Sequence, residues 1–189
     1  MIRALNADAY EAAIPGLADL LVDVVAGGAS VGFMDGLGAA EATDYWAGLA
    51  PAVRAGTTHA FVAMDEERVV GSTLLIQARF PNGRHRAEIA KVLVLRSHRR
   101  RGIAAELMAA AEARARETGR WLLILDTVTG SAAASLYEGL GWQRAGDIPW
   151  FATMPDGALI STTYYWKDLR SGPFGSGQAQ AGAQAGYQP

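Results

Sequence analysis

The stretch Glu88-Ile-Ala-Lys-Val-Leu-Val-Leu-Arg-Ser-His-Arg-Arg-Arg-Gly-Ile-Ala-Ala-Glu-Leu107 decides the fold. Its first part, rich in Ile, Val and Leu, predicts a buried strand. A basic turn with one glycine follows, and then an Ala/Leu-rich helix begins. A strand that passes through a glycine turn into a helix leaves backbone N–H groups without intrahelical partners, at the positive end of the helix dipole. Such a turn can hold a phosphate.

Working outward, Gly102 to Thr118 reads as the helix after the turn, stopped by Gly119. Arg120 to Val128 (with Leu122-Leu-Ile-Leu-Asp126) reads as a strand, and Ser131 to Leu140 as a short helix closed by Gly141. Trp142 to Thr153 and Ala158 to Trp166 are β-rich, joined by a Pro155-Asp-Gly157 turn. Upstream, Thr57 to Met64 and Arg68 to Ala78 form a hairpin pattern around Asp65-Glu-Glu67, and Pro81-Asn-Gly83 leads into a strand over His85 to Leu95. Ala7 to Val25 has helical apolar spacing, with Asn6 or Asp8 as cap, Gly27-Gly28 as stop, and Pro15 marking a kink or a late start. Ala39 to Ala55 predicts a second helix with Trp46, Leu49 and Val53 on one face. Met1 to Leu5 reads as an edge strand. Between the two helices, Ala29 to Gly38 is glycine-rich yet carries Val31, Phe33 and Met34, the pattern of a loop that folds over a site or packs on the core. The order β-α-α-β-β-β-α-β-α-β-β is an α/β arrangement with an antiparallel first half and a central βαβ crossover.

The 189 residues suit one domain over 1–170. Ser171 to Pro189 changes to Gly, Ala, Gln, Ser and Pro, the composition of a disordered tail. The formal net charge of −2 gives no bulk attraction to nucleic acid or anionic membrane. No cysteine is present, which excludes disulfides and thiolate metal sites. His59, His85 and His98 stand at unrelated spacing, so no metal is expected. No signal peptide or transmembrane run is read, and the expectation is a cytoplasmic protein.

Two motifs carry a resemblance. Arg99-x-x-Gly102-x-Ala104, after Val94 and before the Ala/Leu-rich helix, resembles the acetyl-CoA signature of the GNAT superfamily of N-acetyltransferases. Ala133-x-x-Leu136-Tyr137-Glu138-x-Leu140-Gly141-Trp142 resembles that family's second motif, and one helix and one strand fit between them. The resemblance implies a mixed, mostly antiparallel twisted sheet of six to seven strands, about four helices, and a splayed central pair of strands. It implies acetyl-CoA as co-substrate and direct transfer of its acetyl group to an acceptor. A family asparagine is replaced here by Gly130, and either Ser131 takes over part of its polar role near the cofactor or the contact is absent.

On that resemblance, the pyrophosphate falls to Arg99, Arg100, Arg101, Gly102, Ile103 and Ala104, through N–H donors, charge and close backbone approach. The amide-bearing pantetheine arm pairs like a strand with Val92, Leu93 and Val94, where an N–H also polarises the thioester carbonyl. Tyr137 sits at the cofactor and protonates the departing thiolate. Its alternative role is core packing. Glu88 lies upstream of the thioester position, on one face with Ala90 and Val92 if the strand is regular, and is the expected general base. An ion pair with Arg86 or Lys91, or plain exposure, is its alternative. Asp126 ends an apolar strand where the sheet opens, as ammonium ligand or second base, or else caps the next turn. His85 faces away from Glu88 and is structural.

The paired carboxylates, with Ala29-Ser-Val-Gly-Phe-Met34 and Asn82-Gly-Arg-His-Arg-Ala-Glu-Ile-Ala-Lys91, resemble a narrower branch, the tabtoxin-resistance-type acetyltransferases. That branch implies a small amine- or hydroxyl-bearing acceptor, an amino-acid-like toxin or antibiotic. Glu88 and Asp126 would grip it, and Phe33 and Trp46 would help close the pocket. Protein or peptide acetylation and non-catalytic acyl-CoA sensing are the alternatives. The Arg96-Ser-His-Arg-Arg-Arg101 run lacks aromatic interleaving and does not indicate a nucleic-acid partner. No membrane partner is expected, and the state is monomer or homodimer.

Overall fold

The computed structural model describes residues 1–170, and the expected low-complexity tail, 171–189, lies outside the described residues. Among those residues the chain forms β1 (Ile2–Leu5), α1 (Ala7–Ala26), α2 (Ala39–Arg54), β2 (Thr58–Asp65), β3 (Arg68–Gln77), β4 (Arg86–Val94), α3 (Ile103–Glu117), β5 (Leu122–Val128), α4 (Ala132–Gly139), β6 (Gln143–Thr153) and β7 (Leu159–Asp168). The strands make one sheet in the order β1-β2-β3-β4-β5-β7-β6, antiparallel throughout except for β4 and β5. The expected α/β architecture is therefore present, with seven strands and four α-helices.

Local chemistry sets the elements. The Asn6 side chain accepts from the Ala9 N–H at 2.8 Å and starts α1, whose Leu17, Leu20, Leu21, Val24 and Val25 enter the core. Pro15 lies inside α1, and neither delays its start nor ends it. Ser131 caps α4 by accepting from Ala134 N–H at 3.2 Å. Helix α3 buries Leu107, Met108, Ala111 and Ala115. It can lie close across β3 because residue 71 is glycine: a Cβ there would stand 3.0 Å from the Leu93 carbonyl and 3.1 Å from Leu107. Its far side is tied to β7 by Glu112, which accepts from Lys167 Nζ at 2.8 Å and from Trp142 Nε1 at 3.3 Å.

Two irregularities of β4 shape the molecule. β4 pairs with β5 only over Arg86–Glu88 and Leu122–Ile124, after which the strands separate and β5 continues against β7. The sheet thus splits along the β5-facing side of β4 beyond Glu88. The second irregularity is a bulge. Ala90 faces Leu74 and Leu93 faces Ser72, so Lys91 and Val92 together oppose Thr73. Lys91 takes φ +52, a left-handed conformation for a side-chain-bearing residue, and the Ser72 hydroxyl donates to its carbonyl at 3.0 Å. A regular strand would put Val92 on the face of Glu88 and Ala90. The register puts Leu93 there instead, a correction to the regular alternation.

Candidate active site

The basic turn forms one end of the site. Arg100 has φ +64 and Gly102 φ +81, so the chain turns tightly before α3. The backbone N–H groups from Arg100 to Ala105 donate to no protein acceptor among the described residues. Asp23 of α1 holds the turn from below, accepting from the Arg96 N–H and Nε at 3.0 Å each. Burial works to raise the Asp23 carboxyl, but the bonds and charge of Arg96 keep it below its ordinary value. Asp65 holds the turn from the side through His98 at 3.1 Å. Arg99, Arg100 and Arg101 are exposed around it. A row of unpartnered N–H groups at a helix start, ringed by guanidinium groups, fits a pyrophosphate.

The split is the middle of the site. From Ile89 to Val94 the side of β4 that faces away from β3 has no strand partner. Its polar groups are open to an extended, amide-bearing ligand, and Val92, Leu93 and Val94 lie along it. Ser131 spends its hydroxyl on the α4 cap and stands 3.5 Å from the Thr127 hydroxyl.

The carboxylates stand where the split opens. Glu88 is the last β4 residue paired to β5, opposite Ile124, and Asp126 lies two residues further along β5. Both side chains are exposed. Neither forms an ion pair within 4.0 Å among the described residues, so Arg86 and Lys91 do not neutralise Glu88 by contact. Burial, and then the charge of Asp126, raise the Glu88 carboxyl above its ordinary value, while Lys91 and Arg86 oppose the shift. Asp126 accepts from the Thr162 hydroxyl of β7 at 3.1 Å, a cross-strand contact rather than a cap of the following turn.

Tyr137 packs its ring between Trp142 and Tyr165, each 6.2 Å away by centroid, and is 6% exposed. Its hydroxyl makes no hydrogen bond among the described residues. The sealed polar side-chain atoms without partners there are Trp46 Nε1 and Arg120 Nε, so the Tyr137 hydroxyl keeps contact with open space. Burial, followed by the charge of Asp126, pushes it up to about 12. Core packing and an unpartnered, fully protonated hydroxyl are thus joined in one residue.

The 29–38 loop crosses the split. On one side, Val31 accepts from Lys91 Nζ at 3.0 Å. On the other, the Ser30 hydroxyl donates to the Thr153 carbonyl at 2.9 Å, and the Asp35 N–H to the Pro155 carbonyl at 3.0 Å. Phe33 meets Tyr45 of α2 edge to face at 5.1 Å. Trp46 is fully buried, and Tyr10 donates to its carbonyl at 2.8 Å. The expected pocket role of Trp46 is corrected: helical rotation turns it into the core and leaves Tyr45 on the site side. His85 stacks on Trp121 at 4.6 Å, away from the carboxylates.

Three site residues escaped the sequence reading. Lys91 entered it only as a partner for Glu88, because the bulge that redirects it leaves no mark on apolar periodicity. Tyr45 was hidden by its stronger neighbour Trp46. Tyr164, paired across from Asp126, gathers a raised hydroxyl pKa from burial and then from the charges of Asp126 and Glu88, and packs on Phe151 at 5.8 Å. Strand pairing alone reveals it.

Known proteins share this architecture. The ribosomal-protein-alanine N-acetyltransferase of Brucella melitensis superposes with a TM-score of 0.75 at 25% identity, covering 89% of this chain and 99% of that one. A Salmonella typhimurium protein, assigned as an acetyltransferase and solved with its cofactor acetyl-CoA, gives a TM-score of 0.73 at 17% identity, covering 91% and 95%. A protein assigned as a phosphinothricin N-acetyltransferase gives 0.74 at 16% identity, covering 90% and 99%. The family model described as acetyltransferase (GNAT) matches residues 30–142, which include the 29–38 loop from Ser30, the bulged β4, the basic turn before α3 and the Tyr137 helix. The chain belongs to the GNAT family of acetyltransferases.

Proposed function

We propose that the protein transfers the acetyl group of acetyl-CoA directly to a small amine-bearing acceptor, an amino-acid-like toxin or antibiotic, in a ternary complex. The observation that carries the reading is a pair of unpaired carboxylates, Glu88 and Asp126, beside a split that a tethered loop crosses. Opposed carboxylates without cations attract an ammonium. A bridged loop suits a compact acceptor better than a polypeptide, and the likeness to a phosphinothricin N-acetyltransferase supports the same class. Hydroxyl acceptors fit the same space. The cysteine-free composition suits a cytoplasmic enzyme, and we take it to act as a monomer or homodimer.

Bound acetyl-CoA supplies an acetyl group activated as a thioester. Asp126 holds the acceptor ammonium by charge, and Glu88 removes a proton from it, directly or through a water. The raised proton affinity of Glu88 makes it a stronger base than an ordinary carboxylate. Backbone N–H groups on the open side of β4 stabilise charge on the carbonyl oxygen as the amine nitrogen bonds to carbon. Tyr137 gives its proton to the sulfur as the C–S bond breaks and is reprotonated by the second proton leaving the amide nitrogen, so that one proton in all, the one taken by Glu88, passes to solvent. Arg99, Arg100 and Arg101, with the N–H groups through Ala104, hold the pyrophosphate end.

A peptide acceptor is the second reading, supported by the Brucella relative that acetylates a ribosomal protein. The test is release of free CoA from acetyl-CoA with small amines, amino acids and peptides in parallel. Turnover with small amines alone supports the proposal. Turnover with peptides alone replaces it by the second reading, and binding of acetyl-CoA without any turnover replaces it by a sensor.

A further inference from the structure

Lys91 combines features that plain packing does not require. It occupies the β4 bulge with φ +52, a conformation that disfavours side-chain-bearing residues. The Ser72 hydroxyl fixes that bulge by binding the Lys91 carbonyl at 3.0 Å. The side chain is half-buried, yet its ammonium contacts neither nearby carboxylate. It donates to the Val31 carbonyl at 3.0 Å and stands 5.3 Å over the centre of the Tyr45 ring. Gly32, next in the loop, takes φ +94, and the position of its absent Cβ lies 3.8 Å from Nζ, an ordinary contact distance.

Resting on the reading above, we infer that Lys91 is a positioning residue for the acceptor: its ammonium latches the 29–38 loop across the split and leaves Glu88 and Asp126 free for the acceptor's cation. Ser30, Met34 and Asp35 of the loop bind the β6–β7 hairpin on the far side of the split. On the β4 half, Lys91 supplies the hydrogen bond from β4 itself, beside the packing of Phe33 on Tyr45 of α2. On a regular strand residue 91 would lie on the face of Ala87 and Ile89, opposite Glu88, where its side chain would enter the core. The bulge turns it to a carbonyl and an aromatic face instead, so a charge-assisted bond closes the loop while the ammonium acts on Glu88 and Asp126 without touching either.

Lys91→Met and Lys91→Arg test the latch in the full-length protein. In Lys91→Met, hydrogen exchange at Val31, Gly32 and Phe33 should accelerate. Slow hydrolysis of acetyl-CoA without any acceptor should rise several-fold. The acceptor KM should rise about tenfold, the loss of one hydrogen bond to a charged group, with kcat changed less. Lys91→Arg should restore most of each. Exchange and hydrolysis need no acceptor, so they judge the latch even where the acceptor class proves wrong. If Lys91→Met does not fold, Tyr45→Leu should loosen the same amides. Unchanged exchange at the loop in a folded variant, or a fall in kcat with KM unmoved, would overturn the inference.

Discussion

Glu88 and Asp126 project from the same face of two strands that have just parted. Glu88 is the last β4 residue aligned with β5, at Ile124, and Asp126 is the next β5 residue on the face of Ile124. Each therefore stands where the sheet ceases to cover it, and each lacks an ion pair among the described residues. If Glu88 takes the acceptor's proton, Glu88→Gln keeps the shape and removes the base. Its kcat should fall about 10²–10⁴-fold, with the acetyl-CoA KM little changed, in steady-state assays of CoA release. Unchanged kcat would remove Glu88 from the role.

The turn before α3, proposed to hold the pyrophosphate, depends on a left-handed residue at its tightest point. Gly102 has φ +81, and open space surrounds the position a Cβ would take. Gly102→Ala should cost about 1 kcal/mol of stability for the left-handed alanine. The added methyl also stands where the backbone must approach the pyrophosphate. The acetyl-CoA KM should rise about tenfold, a loss of about 1.4 kcal/mol of binding, while the acceptor KM stays within twofold. An unchanged acetyl-CoA KM would show that the pyrophosphate does not touch this turn.

Much of this architecture was legible because it rests on local chemistry. Apolar periodicity marked α1, α2 and β4, and Asn6, Gly27, Gly102 and Ser131 punctuated the chain through caps and turns. The turn proposed for the pyrophosphate was legible as a turn for the same reason, since it is one continuous stretch. The proposed acceptor end draws on several separate elements, and there the sequence was less legible. Trp46 looked like a pocket wall because large aromatics can be either core or wall, and only the helix rotation showed which. Lys91 looked like an ion-pair partner because a bulge is a mismatch between two strands, visible only when both are paired. Tyr164 carries no local signal at all: its place beside Asp126 comes from β7 inserting between β5 and β6.

Glu112 offers a control for stability without chemistry. Its carboxylate is 10% exposed and binds Lys167 Nζ at 2.8 Å and Trp142 Nε1 at 3.3 Å, tying α3 to the second half of the sheet. Glu112→Ala leaves the half-buried Lys167 cation without its carboxylate and should destabilise the fold by about 3 kcal/mol. Thermal melts should show the loss. Below the melt, kcat should stay within twofold of the parent, because Glu112 touches no proposed site residue.

Tyr137 separates packing from proton donation. The ring carries the contacts to Trp142 and Tyr165, and the hydroxyl has no hydrogen bond to lose. Tyr137→Phe should therefore move the unfolding free energy by less than about 1 kcal/mol. If the hydroxyl protonates the leaving sulfur, kcat should fall about 10²-fold or more. A hydroxyl pushed up to about 12 also stays protonated across the working range, so no alkaline loss of kcat should trace to this residue. A large stability loss with kcat intact would assign Tyr137 to packing alone.

The pH profile distinguishes base from anchor in the carboxylate pair. Glu88 must be ionised to accept a proton, so kcat should fall as pH drops through its raised pKa. Burial is the first cause of that raise, and the charge of Asp126 the second. Asp126→Asn removes the second cause and leaves the first. The acid limb of the kcat profile should then move to lower pH, because Glu88 holds its proton less tightly without a neighbouring anion. The same substitution deprives the acceptor ammonium of one anion, so the acceptor KM should rise. The opposite assignment predicts something else: were Asp126 the base, Asp126→Asn would cut kcat at every pH. Measuring kcat and KM from pH 5 to pH 9 for both variants decides between the two, since Asp126→Asn shifts the limb under one assignment and cuts kcat at every pH under the other.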